Sequence, residues 1–196
     1  MAGNADNNGR RLGRGWRAAG WGVAAALLLL PLAAMQVTDE VDWNLADFAA
    51  AGALVAGVGV TYELAARMTG NGAYRAAIGI ALAAAFMLSW ISLAVGIIGS
   101  EDNPANLMYG GVLAVGVVGA VIARFRPAGM VRALSATALA QTLVGGVALA
   151  AGLGSAAPSF PEAIVFLTGV FAALWLVSAG LFRKAARQRS SAGTAP

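Results

Sequence analysis

Cysteine and histidine are both missing from this sequence. Their absence removes thiolate and imidazole ligands, disulfide bonds and the most common general base. It argues against a haem site with histidine or cysteine axial ligands, a zinc-dependent intramembrane protease and a Ser–His or Cys–His nucleophile. An enzyme would have to use carboxylates or a bound metal, so we expect a non-enzymatic protein with no cofactor and no metal.

Charged residues are also scarce. They make up 11% of the chain, whereas hydrophobic residues make up 59% and the mean hydropathy is +0.74. A soluble domain has about 25% charged residues. Polar residues occur here only in short clusters between apolar runs. The composition therefore predicts an all-α membrane protein.

Six apolar runs are long enough to cross a bilayer, which takes about 20 helical residues. They divide the chain into a disordered cytoplasmic tail (1–15), a transmembrane domain (16–183) and a basic cytoplasmic tail (184–196). The first run follows a basic flank, as a signal peptide does, but it lacks a good A-x-A cleavage site, which favours an uncleaved span. The predicted spans are 16–37, 45–66, 74–98, 104–123, 131–152 and 161–182.

The charges indicate how these spans are oriented. With six spans, all 13 Lys and Arg residues fall on one side of the membrane, whereas seven of the nine acids fall on the other. The positive-inside rule then places both termini in the cytoplasm. The net charge of +4 and the pI near 10.3 are explained by this topology and do not indicate nucleic-acid binding. The fold is expected to be an up-and-down bundle.

Two loops contain signals for the start of a helix. Asn44 and Asp47 form a capping pair before the second span, and in the hinge Gly99–Asn106 we expect Asn103 to cap a helix that begins at Pro104. Asn103-Pro104-Ala105 is also the triplet found in aquaporin-like pores. Such a pore needs two triplets on half-helices at membrane depth, and this one lies in a loop, so capping is the preferred interpretation.

A spacing of 57 residues recurs along the chain. It separates Arg67 from Arg124, Arg75 from Arg132 and Pro104 from Pro161. This spacing suggests three parallel repeats of a helical hairpin. Six equal spans with short loops would produce the same spacing without duplication, so both explanations stay open.

Polar residues within the spans are the candidate functional positions. Glu63 is the acid nearest the hydrocarbon, but it stands four residues before Arg67, which favours an interfacial ion pair over a proton or cation site. Gln141 lies near mid-membrane, and hydrogen bonding to a neighbouring helix is its preferred role. A polar path is the other interpretation. The residues proposed for a path or for interhelical contacts are Glu63, Gln141, Thr137, Ser89 and Ser92.

The acids of the first two outer loops form a second candidate site. They would bind Ca²⁺ or Mg²⁺ if the two loops met, although their spacing is not that of an EF-hand. Solvated charges that mark the outer side are the preferred interpretation. The residues concerned are Asp39, Glu40, Asp42, Glu101 and Asp102.

Small residues four positions apart recur within the spans and allow helices to approach closely. The pairs are Ala53 with Gly57, Gly116 with Ala120 and Ala148 with Gly152. They favour a structural or accessory role in the bilayer, with docking on a second copy or on another membrane protein. The alternative is a small transporter or channel for a neutral or cationic solute.

The central part of the chain, from about Val41 to Gln141, resembles a group of small bacterial integral membrane proteins of uncharacterised activity. The resemblance implies the bacterial cytoplasmic membrane and carries over no functional residue. It rests on Trp43, Asp47-Phe48, Tyr62-Glu63-Leu64, Tyr74-Arg75-Ala76, Ser100–Asn106 and Ala123-Arg124-Phe125-Arg126-Pro127.

Overall fold

The computed structural model describes residues 20–38, 41–67 and 69–192, and the expected tail 1–15 lies outside this part. The described residues form six α-helices and one 3₁₀ turn, with no strand. Five segments are long and apolar enough to cross a membrane, and a shorter apolar helix, α1, is described over Gly20–Ala34. The α-helices are α1 Gly20–Ala34, α2 Leu45–Arg67, α3 Gly72–Ala94, α4 Leu107–Ile122, α5 Pro127–Ala150 and α6 Glu162–Ala192.

The chain divides into two compact units, residues 1–63 and 64–196. In the first unit, the start of α2 confirms the expected capping pair. The Asn44 side-chain oxygen accepts from the backbone N–H of Ala46 at 2.7 Å, and an Asp47 carboxylate oxygen accepts from the Asn44 N–H at 2.9 Å. The two side chains thus satisfy N–H groups that a helix start leaves without intrahelical partners.

In the second unit, the four helices α3, α4, α5 and α6 pack together, with neighbouring helices antiparallel. Ser178 of α6 donates to the Ala77 carbonyl of α3 at 2.7 Å, and Asn71 donates to Gln188 at 2.9 Å. Residue numbers rise on one helix as they fall on the other, so α3 and α6 run in opposite directions. The helices α4 and α5 also do so, because Gly119 lies against Ala133 and Gly116 against Thr137.

The two ends of the second unit differ in charge. We call the end that carries the basic residues the arginine end, and the opposite end, where the loops after α3 and α5 contain Gly99 and Gly154, the glycine end. At the arginine end, the Tyr74 hydroxyl donates to the Phe125 carbonyl at 2.9 Å and so joins the start of α3 to the α4–α5 turn. At the glycine end, Gly99 and Gly154, in the loops that follow α3 and α5, meet backbone to backbone. The described acids of this unit, Glu101, Asp102 and Glu162, belong to the glycine end. The basic residues of the arginine end are Arg67, Arg75, Arg124, Arg126, Arg132, Arg183, Lys184, Arg187 and Arg189.

Helix ends depart from the predicted spans where backbone chemistry decides them. The third span was expected to reach residue 98, but α3 ends at Ala94 because Gly96 takes a left-handed φ of 78° and its N–H bonds to the Ile91 carbonyl. The helix α5 begins at Pro127, four residues before the predicted span, because proline suits the first turn.

The last helix continues well beyond the predicted span, which ends at residue 182. It runs to Ala192 through a segment of Ala, Arg, Lys and Gln, all of which favour helix. Its 31 residues measure about 46 Å, compared with about 30 Å for the hydrocarbon core. The predicted basic tail is therefore helical through residue 192.

The hinge forms as its capping signals predict. The Asn103 side chain accepts from the Ala105 N–H at 3.0 Å and caps a 3₁₀ turn, Pro104–Asn106, that leads into α4. The buried Asn106 organises the loop before it. Its side-chain oxygen accepts from the N–H groups of Ile97 and Ile98, both at 2.9 Å, and its amide donates to the Ser100 carbonyl at 2.8 Å.

Candidate functional site

Gln141 lies inside the second unit, on the buried face of α5. Its relative exposure is 0%, and neither its side-chain oxygen nor its nitrogen has a hydrogen-bond partner among the described residues. Thr137, one turn earlier, is equally buried, but its hydroxyl donates to the Ala133 carbonyl of its own helix at 2.9 Å. Of this predicted pair, only Gln141 therefore presents unused hydrogen-bonding groups to the interior.

Contacts of α5 with its neighbouring helices show where Gln141 lies along the bundle. A Cβ added to Gly116 of α4 would lie 3.3 Å from the Thr137 hydroxyl, and one added to Gly145 would lie 2.3 Å from the Thr168 hydroxyl of α6. Thr137 and Gly145 are each four residues from Gln141, so all three lie on one face of the helix. Gln141 is thus placed between a contact with α4 and a contact with α6.

Two hydroxyl groups accompany Gln141 one turn nearer the glycine end. The hydroxyls of Tyr109 on α4 and Thr168 on α6 lie close enough to each other for a weak hydrogen bond, but neither has a partner at standard hydrogen-bond geometry among the described residues. The Trp175 indole N–H, two turns beyond Thr168 on the same face of α6, is also buried without a described partner. The interior thus combines donors and acceptors from three helices, and none of these groups carries a charge.

Sequence reasoning did not single out Tyr109, Thr168 or Trp175. Threonine in a membrane helix commonly bonds to the carbonyl four residues earlier, and aromatic residues at helical spacing usually pack in a core. The sequence carries no signal that these groups lack partners, because that depends on which helix faces meet.

The two serines predicted on α3 have different surroundings. The Ser89 hydroxyl donates to the Ala85 carbonyl of its own helix at 2.8 Å. The Ser92 hydroxyl is buried without a described partner, near the glycine end of α3. Ser92 therefore resembles Gln141 in its unmet hydrogen bonding, whereas Ser89 does not.

Glu63 belongs to the first unit. One of its carboxylate oxygens accepts a hydrogen bond from the Trp21 indole N–H of α1 at 3.0 Å. The Trp21 ring also lies against Gly59, one turn earlier on α2. Within that unit, Glu63 therefore connects α2 to α1. Its proposed role in a polar path stays a prediction.

The acids that the sequence predicts in the first two outer loops are described only in part. Asp39 and Glu40 lie outside the described residues, Asp42 belongs to the first unit, and Glu101 and Asp102 are exposed in the second. Within the described part of the chain, no three acidic side chains are grouped closely enough to hold a metal ion. The cation site therefore stays a prediction without structural support.

The helices define a class: an all-helical protein with several segments suited to crossing a membrane, one unit of which is a four-helix bundle with an uncharged polar interior. No protein-family model, curated protein or solved structure matches the chain.

Proposed function

We propose that this chain is a six-span protein of the bacterial cytoplasmic membrane with both termini in the cytoplasm. The charge separation within residues 64–192 supports this topology, because the basic residues lie at one end of the bundle and the described acids at the other. Basic residues remain on the cytoplasmic side during insertion. The bacterial location rests on the resemblance of the central segment to bacterial membrane proteins.

Its main proposed role is structural or accessory and non-enzymatic, with docking through α2 onto a second copy. This role rests on a difference between the small-residue pairs: residues of two pairs pack against other helices, whereas the pair on α2 does not. Gly116 and Ala148 pack inside the second unit, whereas Ala53 and Gly57 are exposed within the first unit, where a Cβ at Gly57 would meet nothing within 4 Å. An exposed pair of this kind allows two membrane helices to cross closely.

The oligomeric state of the full chain in nanodiscs tests this role. We expect a dimer that Gly57→Leu converts to a monomer, because the larger side chain separates the two helix backbones. Gly52→Leu is the matched control, since Gly52 also has open space but lies on a different side of α2. A monomeric wild-type chain, or a dimer that survives Gly57→Leu, would refute docking through this face.

The second candidate role is a transporter or channel for a small neutral solute. It is favoured by the unpartnered Gln141 carboxamide near the middle of α5. The buried polar side chains of the described residues include Asn106, Thr137, Gln141, Ser178 and Tyr109, and none of them is charged at neutral pH, so a neutral solute fits this interior better than a cation.

Solute flux into proteoliposomes tests this second role. Flux of urea or glycerol that Gln141→Leu abolishes would support it. Thr142→Val serves as the control, because Thr142 is the next residue along and is exposed on the outside of the bundle. No flux above that of protein-free liposomes for either solute would refute a channel for such molecules.

A further inference from the structure

The strongest unexplained feature of the second unit is its set of buried polar atoms without partners. They are Gln141 Oε1 and Nε2, the Tyr109 and Thr168 hydroxyl oxygens, Trp175 Nε1 and Ser92 Oγ. A buried polar group without a hydrogen bond costs about 1–3 kcal/mol, and lipid cannot supply the missing partner. Several such groups in one small bundle therefore offer hydrogen bonds that a polar molecule bound there would satisfy.

We propose that Gln141, Thr168 and Tyr109 form a binding site for one small uncharged molecule that carries a carboxamide or hydroxyl group. This inference deepens the second candidate role and rests on it, because it assigns the solute site that transport would require.

Helix register places the three side chains together. Gly145 brings α5 against Thr168, and a Cβ on that glycine would lie only 2.3 Å from the threonine hydroxyl. The Tyr109 hydroxyl of α4 lies near the same threonine hydroxyl without reaching standard hydrogen-bond geometry. Gln141 follows one turn deeper on the face that Gly145 occupies, and side chains four residues apart on a helix are neighbours, with Cβ atoms about 5–6 Å apart. The site therefore lies between α4, α5 and α6.

The chemistry of the three side chains defines the ligand class. A carboxamide offers one acceptor oxygen and two N–H donors, whereas each hydroxyl can donate or accept. A ligand that both donates and accepts would satisfy all three. An ion would be unfavourable, because no side chain that is charged at neutral pH is buried among the described residues to balance its charge. Urea and glycerol are therefore suitable probes of the amide and hydroxyl classes.

Access to this site differs between the two ends of the unit. At the arginine end, the interior is closed by the rings of Tyr74 and Phe182, which pack edge to face with centroids 5.1 Å apart, and by the fully buried Ala185. The unpartnered hydroxyls of Tyr109, Thr168 and Ser92 lie nearer the glycine end, where α4 and α6 begin. A solute that entered from the glycine end would meet these hydroxyls first, after passing the contact between Gly99 and Gly154.

Side-chain amide NMR of the full chain in nanodiscs can test the site directly. The chain contains three glutamines, Gln36, Gln141 and Gln188, so the Gln141 signal is identified by its loss in Gln141→Leu. We expect urea or glycerol to shift this signal saturably. Thr168→Val and Tyr109→Phe should each weaken binding about tenfold, as expected for one lost hydrogen bond, whereas Thr142→Val should not.

The alternative outcomes are distinct. No saturable shift with either probe, or contact of Gln141 with water alone, overturns the proposal. If wild type, Thr168→Val and Tyr109→Phe bind the probe equally well, the assignment of these residues to the site is overturned. Both substitutions nearly preserve the shape of the side chain, so this comparison does not require a variant that disrupts the fold. Binding without flux in proteoliposomes refutes transport and supports the site, whereas flux unaffected by Thr168→Val refutes the site and supports transport.

Discussion

A single buried asparagine organises the loop between α3 and α4. Asn106 makes three short hydrogen bonds to backbone groups of residues 97, 98 and 100. These groups follow the end of α3 and have no helical partner of their own. The side chain therefore replaces the missing secondary structure and holds Ile97 and Ile98 in the core, where their relative exposures are 3% and 0%.

We predict that Asn106→Ala destabilises the protein by about 2–4 kcal/mol, because three hydrogen bonds worth about 1 kcal/mol each are lost and two backbone N–H groups remain buried. Thermal or denaturant unfolding in a mild detergent measures this change. Asn103→Ala is the comparison. It removes one capping bond and should cost about 1 kcal/mol. Equal stability of the two variants would contradict the organising role of Asn106.

The packing of α5 against α6 depends on a glycine that sequence reasoning did not single out. A side chain at Gly145 would overlap the Thr168 side chain, with distances of 2.3 to 3.0 Å to its atoms, whereas one at Gly146 would meet nothing within 4 Å. Because the two glycines are adjacent in the same helix, they share the same helix propensity and differ only in their surroundings.

We therefore expect Gly145→Ala to destabilise the protein by about 1–3 kcal/mol through overpacking. Gly146→Ala should be neutral or stabilising by up to about 1 kcal/mol, because alanine is the better helix former. The two variants can be compared by their unfolding midpoints under identical conditions. If Gly145→Ala were as stable as Gly146→Ala, the close approach of α5 and α6 would be wrong.

The extension of α6 beyond the predicted span is attached to the arginine end. The Arg189 guanidinium lies 5.7 Å from the centroid of the Tyr74 ring, and the neighbouring Gln188 accepts a hydrogen bond from Asn71. The basic segment is therefore part of the bundle as well as a marker of topology.

We predict that Arg189→Ala lowers stability by about 0.5–1 kcal/mol, the usual value of an exposed cation–π contact. Arg187→Ala removes the same charge from an exposed position of the same helix and should have no measurable effect. The comparison is best made at two salt concentrations, because a general charge effect would affect both variants equally. Such an equal effect would show that the contact with Tyr74 contributes nothing.

At the scale of the whole molecule, the absence of cysteine makes the topology directly testable. Ser155 lies in the loop after α5 and Ser190 near the end of α6, and both are exposed. A membrane-impermeant maleimide added to intact cells should label Ser155→Cys. It should label Ser190→Cys only after the membrane is permeabilised. The reverse pattern would refute the proposed orientation.

The sequence by itself determined the helical class, the approximate position of each apolar segment and the separation of charge. These features are local, since they depend on the length of apolar runs and on capping residues such as Asn44 and Asn103. Gly96 also signals the end of α3 and Pro127 the start of α5. The predicted spans nevertheless continue past Gly96 and begin four residues after Pro127. Gln141 was recognised because a carboxamide is rare in such a helix.

Only the tertiary structure decided which polar groups have partners. Thr137 and Gln141 look equally available in the sequence, but the first bonds to its own helix and the second does not. Thr168 lies against Gly145, one turn from Gln141, because of the rotation of α5 and α6 about their axes. That rotation is set by close contacts at glycines such as Gly116 and Gly145. Such contacts join residues far apart in the chain, so local sequence patterns do not encode them.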